Sequence, residues 1–504
     1  MLNKLVSKPI LLSLMVGTLV ANSVYGAKLV SKCDMDQNMT KINGTNINIK
    51  YPIASVSKVF TSLLAATTFD LNTTFSTQVF ATPVEKGMHD VHIMGSADPY
   101  FNRFKMQMII SRLNEAGVKN IRNLTFDENV KYLHDTDAYM GFSVATGSRV
   151  VKNRRGQKVT VASKTYIRPT ILKASLNYPP TDLVEAELKE TKVIMADYSK
   201  TYLMAKEANI ELFKAPRFAP AKISFLSSTL FKAPASAVKL YVSSQDVRTI
   251  IKSMNWNSNN HAANRMLVAA GGLEKLNDFY YNTLKVSESE FTFVNGSGQN
   301  HDLDGSGRLY NEASCSVVIR TIRALNTAVQ KQKKQLSDVM SVMGVDKGST
   351  VGGAAYTNSQ TRGMVVAKTG TVGTNITLGG MINSTNGPHY FFYNVEISSA
   401  SRKEENRARA LINGELIKLV KQVRGVPLNY VMDNPLKDNV DNYDEDDAPE
   451  VTAPVEEKVD AVGAALAKDF AAAPKQATPP APAAAKPAAK KAAAPAAAKK
   501  VASK

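Results

Sequence analysis

Apolar and polar positions divide the chain into an early helix, a strand-rich middle and a strand–strand–strand–helix close. From Ser55 onward, Val59, Phe60, Leu63, Leu64 and Ala65 recur at helical spacing with no Pro or Gly among them. A helix with an apolar face therefore begins at or near Ser55. Residues 72–94 alternate and predict strands. Phe104 to Leu113 predicts a helix ended by Gly117, and Val118 to Phe126 a further strand. Residues 130–235 mix basic and Pro-containing stretches with weak periodicity. Val238 to Val242 then predicts a strand that returns the chain to its first domain. Helices are expected over roughly 245–254, 259–270, 273–284 and 311–330. Phe291 to Val294 predicts a strand running into the turn Asn295-Gly296-Ser297-Gly298, which Gly305-Ser306-Gly307 nearly repeats as a loop. The strands Gly363 to Ala367, Thr377 to Ile382 and Tyr390 to Ile397 precede a last helix over about 403–423.

This order predicts a first domain built from residues 27–70 and 237–425, interrupted by an inserted mixed α/β domain over 71–236. A length of 504 residues and a hydrophobic content of 44% leave room for both cores. The segment 426–504 differs in kind. It is acidic from Asp438 to Glu450, and residues 471–504 are almost entirely Ala, Pro and Lys. Such a composition cannot bury enough apolar surface to offset the entropy of ordering, so a disordered tail is expected.

The first residues change the picture further. Lys4 and Lys8, an apolar run from Pro9 to Val20 and the small residues around Gly26 and Ala27 have the pattern of a signal peptide over residues 1–26. Export to the periplasm is the expectation. A formal net charge of +18 allows nucleic acid, an anionic membrane face or an acidic wall polymer as neighbour, and export disfavours nucleic acid. The only cysteines are Cys33 and Cys315; an oxidising compartment leaves both a bridge and two free thiols open. No Cys/His cluster has metal-ligand spacing, so neither a metal nor a cofactor is expected.

Amide cleavage through a serine needs a nucleophile, a base, a proton donor for the leaving amine and an oxyanion site. The chain has six histidines, none in a recognisable triad context, which makes a lysine base attractive. Ser55 and Lys58, three apart on a helix, face the same side. A buried lysine near another cation has a lowered pKa and acts as a neutral base. Ser55-Val56-Ser57-Lys58, Ser258-Asn259-Asn260 and Lys368-Thr369-Gly370 follow in the order of a known acyl-transfer signature. Each occurs by chance alone: as a surface lysine, a helix N-cap, or a strand end and turn. Placed on a helix start, before a helix, and closing a strand, they form one candidate site.

With these motifs the chain resembles the D-alanyl-D-alanine carboxypeptidase/endopeptidase family of the penicillin-binding protein 4 type. Met94-Gly95-Ser96-Ala97-Asp98-Pro99, Leu113 to Val118 with Ile121 to Leu124, the Asn295 to Gly298 turn, and Ala367 to Thr371 followed by Leu378-Gly379-Gly380 carry the match over about residues 30–425. The resemblance implies a penicillin-binding, serine β-lactamase-like transpeptidase fold of α+β type, an antiparallel sheet flanked by helices. It implies Ser55 as nucleophile and Lys58 as base. Ser258 would relay a proton to the leaving amine, Asn260 would hold substrate and Lys58, and Lys368 would supply positive potential. Thr369, Gly370 and Thr371 would line the carboxylate site, and the backbone N–H groups of Ser55 and Thr371 the oxyanion hole. Substrates would be peptidoglycan peptides, with β-lactams as covalent inhibitors and no cofactor.

The chain departs from the family pattern in four places. It reads Ile53-Ala54-Ser55-Val56-Ser57-Lys58 where the family has P-A-S-T-x-K, a form shared with class C β-lactamases. Asn259 replaces the common Asp at a position facing away from the acyl centre. Ser96 and Ala97 alter the Gly-Gly-Asp-Pro loop. The short interval between the first two motifs implies a missing or reduced inserted subdomain, and so access for larger cross-linked substrates. The alternatives are a β-lactamase of the same fold, for which no dedicated deacylation base can be placed, and a catalytically weak wall-binding protein. The basic tail is expected to be a solvated spacer or a contact to an anionic wall polymer.

Overall fold

Two sheets organise the chain. The computed structural model describes residues 26–130, 142–152, 158–167, 222–299 and 309–432, apart from a few isolated positions. Residues 1–25, most of 131–221, the Gly305-Ser306-Gly307 segment and the residues beyond 432 lie outside the described residues.

The larger sheet is antiparallel throughout. Its order is β13 (Ser341–Val342), β14 (Val365–Val372), β15 (Asn375–Ile382), β16 (His389–Glu396), β1 (Lys28–Met35) and β2 (Ile42–Thr45). The α-helices among the described residues are α1 (Ser57–Thr68), α2 (Arg103–Glu115), α3 (Val247–Trp256), α4 (Asn260–Ala269), α5 (Gly272–Asp278), α6 (Cys315–Lys331) and α7 (Arg402–Gln422). One face of the sheet packs on a core that includes α1, α3, α4 and α6, meeting Cys33, Met35, Val366, Met381 and Phe392. The other face packs Val365, Ala367, Leu378, Phe391 and Val395 against Ala408, Ile412, Leu416 and Val420 of α7. β15 is buried at every position, as a strand covered on both faces must be. The antiparallel sheet flanked by helices is thus the fold implied by the family resemblance.

α1 is also buried at every position from Ser57 to Thr68. It runs through the core and shows no solvent face, so several of its hydroxyls turn back to the helix's own carbonyls. Ser62 Oγ donates to Lys58 O at 2.7 Å and Thr67 Oγ1 to Leu63 O at 3.0 Å. Lys58 is the only charged side chain on this helix.

The second sheet is mixed, in the order β10 (Val238–Asp246), β4 (Thr74–Pro83), β5 (Met88–Met94), β6 (Asn120–Phe126) and β9 (Lys222–Phe225). β5 and β6 are parallel, which requires a crossover, and α2 supplies it. Ile109 and Leu113 of α2 join Val79, Val91, Ile93 and Leu124 in a separate core. In the Met94–Pro99 loop, Asp98 is buried and paired at 3.3 Å with Lys105 of α2. Val238–Asp246 does not rejoin the first domain, as its sequence position implied; it pairs with β4 from Val238↔Ala81 to Asp246↔Thr74. β10 thus ends beside the start of β4, and α3 follows at once.

Two smaller units complete the described residues. β11 (Phe291–Thr292), β12 (Glu312–Ser314) and β3 (Lys50–Pro52) pair as a short sheet. β7 (Phe142–Lys152) and β8 (Lys158–Ile167) form a hairpin. Because Glu312–Ser314 is taken up as a strand, α6 starts at Cys315 rather than near 311, with Ser314 Oγ capping it through Val317 N.

Cys33 on β1 is bonded to Cys315 at the start of α6. The bond ties the N-terminal strand, which the periodicity did not reveal, to the helix beneath it. A bridge across a separation of 282 residues removes much unfolded-state entropy. Replacing both cysteines by alanine is expected to lower the melting temperature by on the order of 10 °C. Scanning calorimetry checks this; an unchanged transition would show that the bridge adds no stability.

Candidate active site

Ser55 occupies the middle of a single 3-10 turn, Ala54–Val56, that feeds directly into α1. Ala54 adopts φ +51, a left-handed conformation that costs a non-glycine residue on the order of 1 kcal/mol. Its neighbours hold it there. Ser57 Oγ donates to Ala54 O at 2.6 Å, Thr377 Oγ1 to Ile53 O at 3.0 Å, and Ile53 N to Asn311 O at 3.1 Å. Two glycines allow the close approach. A Cβ on Gly298 would overlap the Ala54 carbonyl, and one on Gly370 would meet Thr377 Oγ1 and lie 2.8 Å from Ala54 Cβ.

One turn on, Lys58 Nζ lies 3.0 Å from Ser55 Oγ, 2.7 Å from Asn260 Oδ1 and 2.9 Å from Ser297 O. Burial and, secondarily, the neighbouring Lys368 push its pKa well below the usual lysine range. An uncharged amine has two N–H donors and one lone pair. Asn260 Oδ1 and the Ser297 carbonyl can only accept, so they take the two donors. The lone pair is left for the Ser55 hydroxyl proton, which is the arrangement of a general base.

Ser258 lies in the turn between α3 and α4 at φ +58. Lys368 Nζ donates to its Oγ at 3.0 Å and to Thr369 O at 2.9 Å. Burial lowers the Lys368 pKa to about 7. Asn259 is the N-cap of α4, its Oδ1 accepting from Ala262 N at 2.9 Å. Asn and Asp cap equally well, so the departure from the family's Asp leaves the helix start intact. Asn260, the first residue of α4, turns to Lys58.

Lys368 to Thr371 was expected to close a strand. The tetrad lies instead inside β14, paired with β15 from Lys368↔Gly379 to Thr371↔Ile376. The strand ends one residue later, at Val372, and Gly373 at φ +54 makes the turn. β13 covers only Val366 and Ala367 on the other edge, so no strand among the described residues pairs with that edge of β14 at Lys368–Val372. Gly370 packs on Ala54, which places the backbones of Thr371 and Ser55, the expected oxyanion pair, next to one another.

Sequence reasoning missed the carbonyl of Ser297 and the side chain of Asn311. Asn311 Oδ1 accepts from Val294 N and Asn295 N, and its Nδ2 donates to Asn295 O at 2.7 Å. Asn295 Oδ1 in turn accepts from Gly298 N at 2.8 Å. The Asn-Gly signal revealed the turn but not that one of its carbonyls meets Lys58. Among the described residues, no group of three or more His, Cys, Asp or Glu is placed to hold a metal.

This fold and serine–lysine arrangement define a penicillin-binding-type serine hydrolase. The family model for the D-Ala-D-Ala carboxypeptidase 3 (S13) family matches residues 25–145 and 227–415, and the chain belongs to that family. Among solved structures it is similar to Bd3459, described as a predatory peptidoglycan endopeptidase from Bdellovibrio bacteriovorus. The identity is 27%, the TM-score 0.68, and the match covers 82% of this chain and 97% of that one. A penicillin G acylated form of Bd3459, in complex with an immunity protein, matches at 28% identity and TM-score 0.66, with the same coverage. Penicillin binding protein 4 from Haemophilus influenzae shares the fold at 15% identity and TM-score 0.53, over 78% of this chain and 97% of that one. Comparison with curated proteins gave no match. The protein is a serine-type DD-peptidase.

Proposed function

We propose that the protein cleaves peptidoglycan stem peptides as both D-alanyl-D-alanine carboxypeptidase and DD-endopeptidase, through an acyl-enzyme on Ser55. The observation that carries this reading is the triple contact of buried Lys58 with Ser55, Asn260 and Ser297. Ser55 Oγ attacks the carbonyl before the last D-residue while the Lys58 lone pair takes its proton. Charge developing on the carbonyl oxygen is met by the backbone N–H groups of Ser55 and Thr371. Ser258, polarised by Lys368, hands its proton to the departing amine as the C–N bond breaks and recovers one from Lys58, which is left neutral again. Water then attacks the ester, its proton passing to Lys58 and on to Ser55 Oγ as the ester C–O bond breaks. In a β-lactam the departing nitrogen stays tethered and blocks that water, so the ester persists.

The relatives support the substrate class, since Bd3459 is described as a peptidoglycan endopeptidase and has been captured acylated by penicillin G. Export rests on the pattern of residues 1–26, and the Cys33–Cys315 bridge suits an oxidising compartment. Contact of the lysine-rich tail with an anionic wall polymer rests on its charge alone.

Digestion of purified cross-linked muropeptides with mass-spectrometric readout tests the reading. Dimers should be converted to monomers and terminal D-alanine released, both ceasing in Ser55→Ala. A protein that penicillin acylates but that yields neither product would overturn it.

A further inference from the structure

Three consecutive carbonyls of the Asn295–Gly298 turn are each bound by a side chain from another element. Asn295 O accepts from Asn311 Nδ2 at 2.7 Å, Gly296 O from Thr61 Oγ1 at 2.7 Å, and Ser297 O from Lys58 Nζ at 2.9 Å. Thr61 and Lys58, three apart on α1, face the same side. Thr61, Asn311 and Ser297 are all buried. Asn311 Oδ1 also accepts from Val294 N at 2.8 Å and Asn295 N at 3.2 Å. From within the turn, Asn295 Oδ1 accepts from Ser297 N at 3.1 Å and Gly298 N at 2.8 Å. α4 closes the remaining side, where a Cβ on Gly296 would lie 2.5 Å from Ala263 O. The peptide planes on both sides of Ser297 are thus fixed, and with them the direction of its carbonyl. Asn311 also reaches the nucleophile. Its own carbonyl accepts from Ile53 N at 3.1 Å, which extends the β12–β3 pairing into the turn that carries Ser55.

We propose that Asn311 and Thr61 are positioning residues for Lys58: together they hold the Ser297 carbonyl where it takes one N–H of the amine and leaves the lone pair on Ser55. The proposal rests on the reading of Lys58 as general base and extends it. Both residues act through the turn, Asn311 from the strand side and Thr61 from α1. An amine bound by Asn260 and Ser297 has one direction left for its lone pair. Bound by Asn260 alone, it rotates about its Cε–Nζ bond and faces Ser55 for only part of the time. A carbonyl facing Lys58 also favours the ammonium over the amine. Releasing that carbonyl therefore has two consequences. Proton removal from Ser55 slows, and Lys58 loses its own proton at lower pH.

The test is stopped-flow acylation by saturating benzylpenicillin across the pH range, for the native chain, Asn311→Ala, Thr61→Val and Thr61→Ser. The rate constant is read apart from the labelled amplitude, so partial unfolding lowers the amplitude and leaves the rate constant of the folded fraction. The bond from Ile53 N to the Asn311 carbonyl is a backbone bond and survives every substitution. Asn311→Ala should lower the maximal rate constant about 10- to 100-fold and move its rising limb down by about 0.5 pH unit or more, with half-saturation changed less than about threefold. Thr61→Val exchanges a hydroxyl for a methyl on a different element. It should move the limb the same way with a smaller loss of rate, and Thr61→Ser should restore the native profile. A limb that stays in place in either Asn311→Ala or Thr61→Val, whatever the melting temperature, would mean that the residue only stabilises the turn, and would overturn the proposal. So would a limb displaced to higher pH. Lys58→Met separates the two readings. If it acylates at the native rate, the base assignment fails and the positioning role with it. If it loses the rising limb while Asn311→Ala and Thr61→Val leave theirs in place, the positioning role alone fails.

Discussion

Ser55→Ala is expected to abolish covalent labelling by a fluorescent penicillin, with the melting temperature unchanged to within about 2 °C. The hydroxyl is the only atom lost, from a half-buried residue. The turn that holds position 55 does not depend on it, since the Ala54, Ile53 and Ser57 contacts all remain. Lys58 keeps its bonds to Asn260 and Ser297. Without an oxygen at this position no ester forms, however well the antibiotic binds. Gel fluorescence after denaturation reads the covalent bond directly, and a band of native intensity from the variant would remove Ser55 from the mechanism.

Lys58→Met should slow acylation by roughly 10³-fold, within the range of a lost general base. Methionine approximates the buried stem, while Asn260 Oδ1 and the Ser297 carbonyl lose their donor. A modest drop in melting temperature is therefore expected beside the kinetic loss. The pH dependence sharpens the test. The Lys58 pKa is depressed by burial and by Lys368, so the native rate should rise with pH as Lys58 loses its proton. It should fall again as pH passes about 7, where Lys368 gives up the charge that polarises Ser258. Lys58→Met should lose the rising limb. The stability term has its own sign. The folded pKa of Lys368 lies below its ordinary value of 10.5, so the unfolded chain binds more protons between about 7 and 10.5. Over that window the Lys368 contribution makes stability rise with pH, and below it the contribution is flat. Stopped-flow acylation between pH 5 and 10 reads the kinetic part; a native rate in Lys58→Met would rule out the base assignment.

Much of the framework was legible because it is local. The helix from Ser55, the helices near 259 and 403, and the strands at 377 and 390 all announce themselves by period and punctuation. β1 was not legible: Lys28–Met35 is a polar-looking segment whose strand state depends on pairing with β16 and β2. The length of β14 was misread for a similar reason. Lys-Thr-Gly has the look of a turn, but pairing with β15 and the close packing of Gly370 on Ala54 carry the strand through it. The part played by the Ser297 carbonyl had no signal, since it matters only through Lys58, remote in sequence.

The sequence by itself determined the reacting groups and their pairing within one helical turn, because Ser55 and Lys58 are separated by three residues and helix geometry does the rest. Tertiary structure decided their state. Enclosure of α1 on all sides removes water from Lys58, and β14 brings Lys368 up beside it. The Asn295–Gly298 turn and α4 supply the two acceptors that orient its lone pair. Desolvation and the meeting of two lysines depend on atoms distant along the chain, so they are set only when the sheet and its helices close around the site.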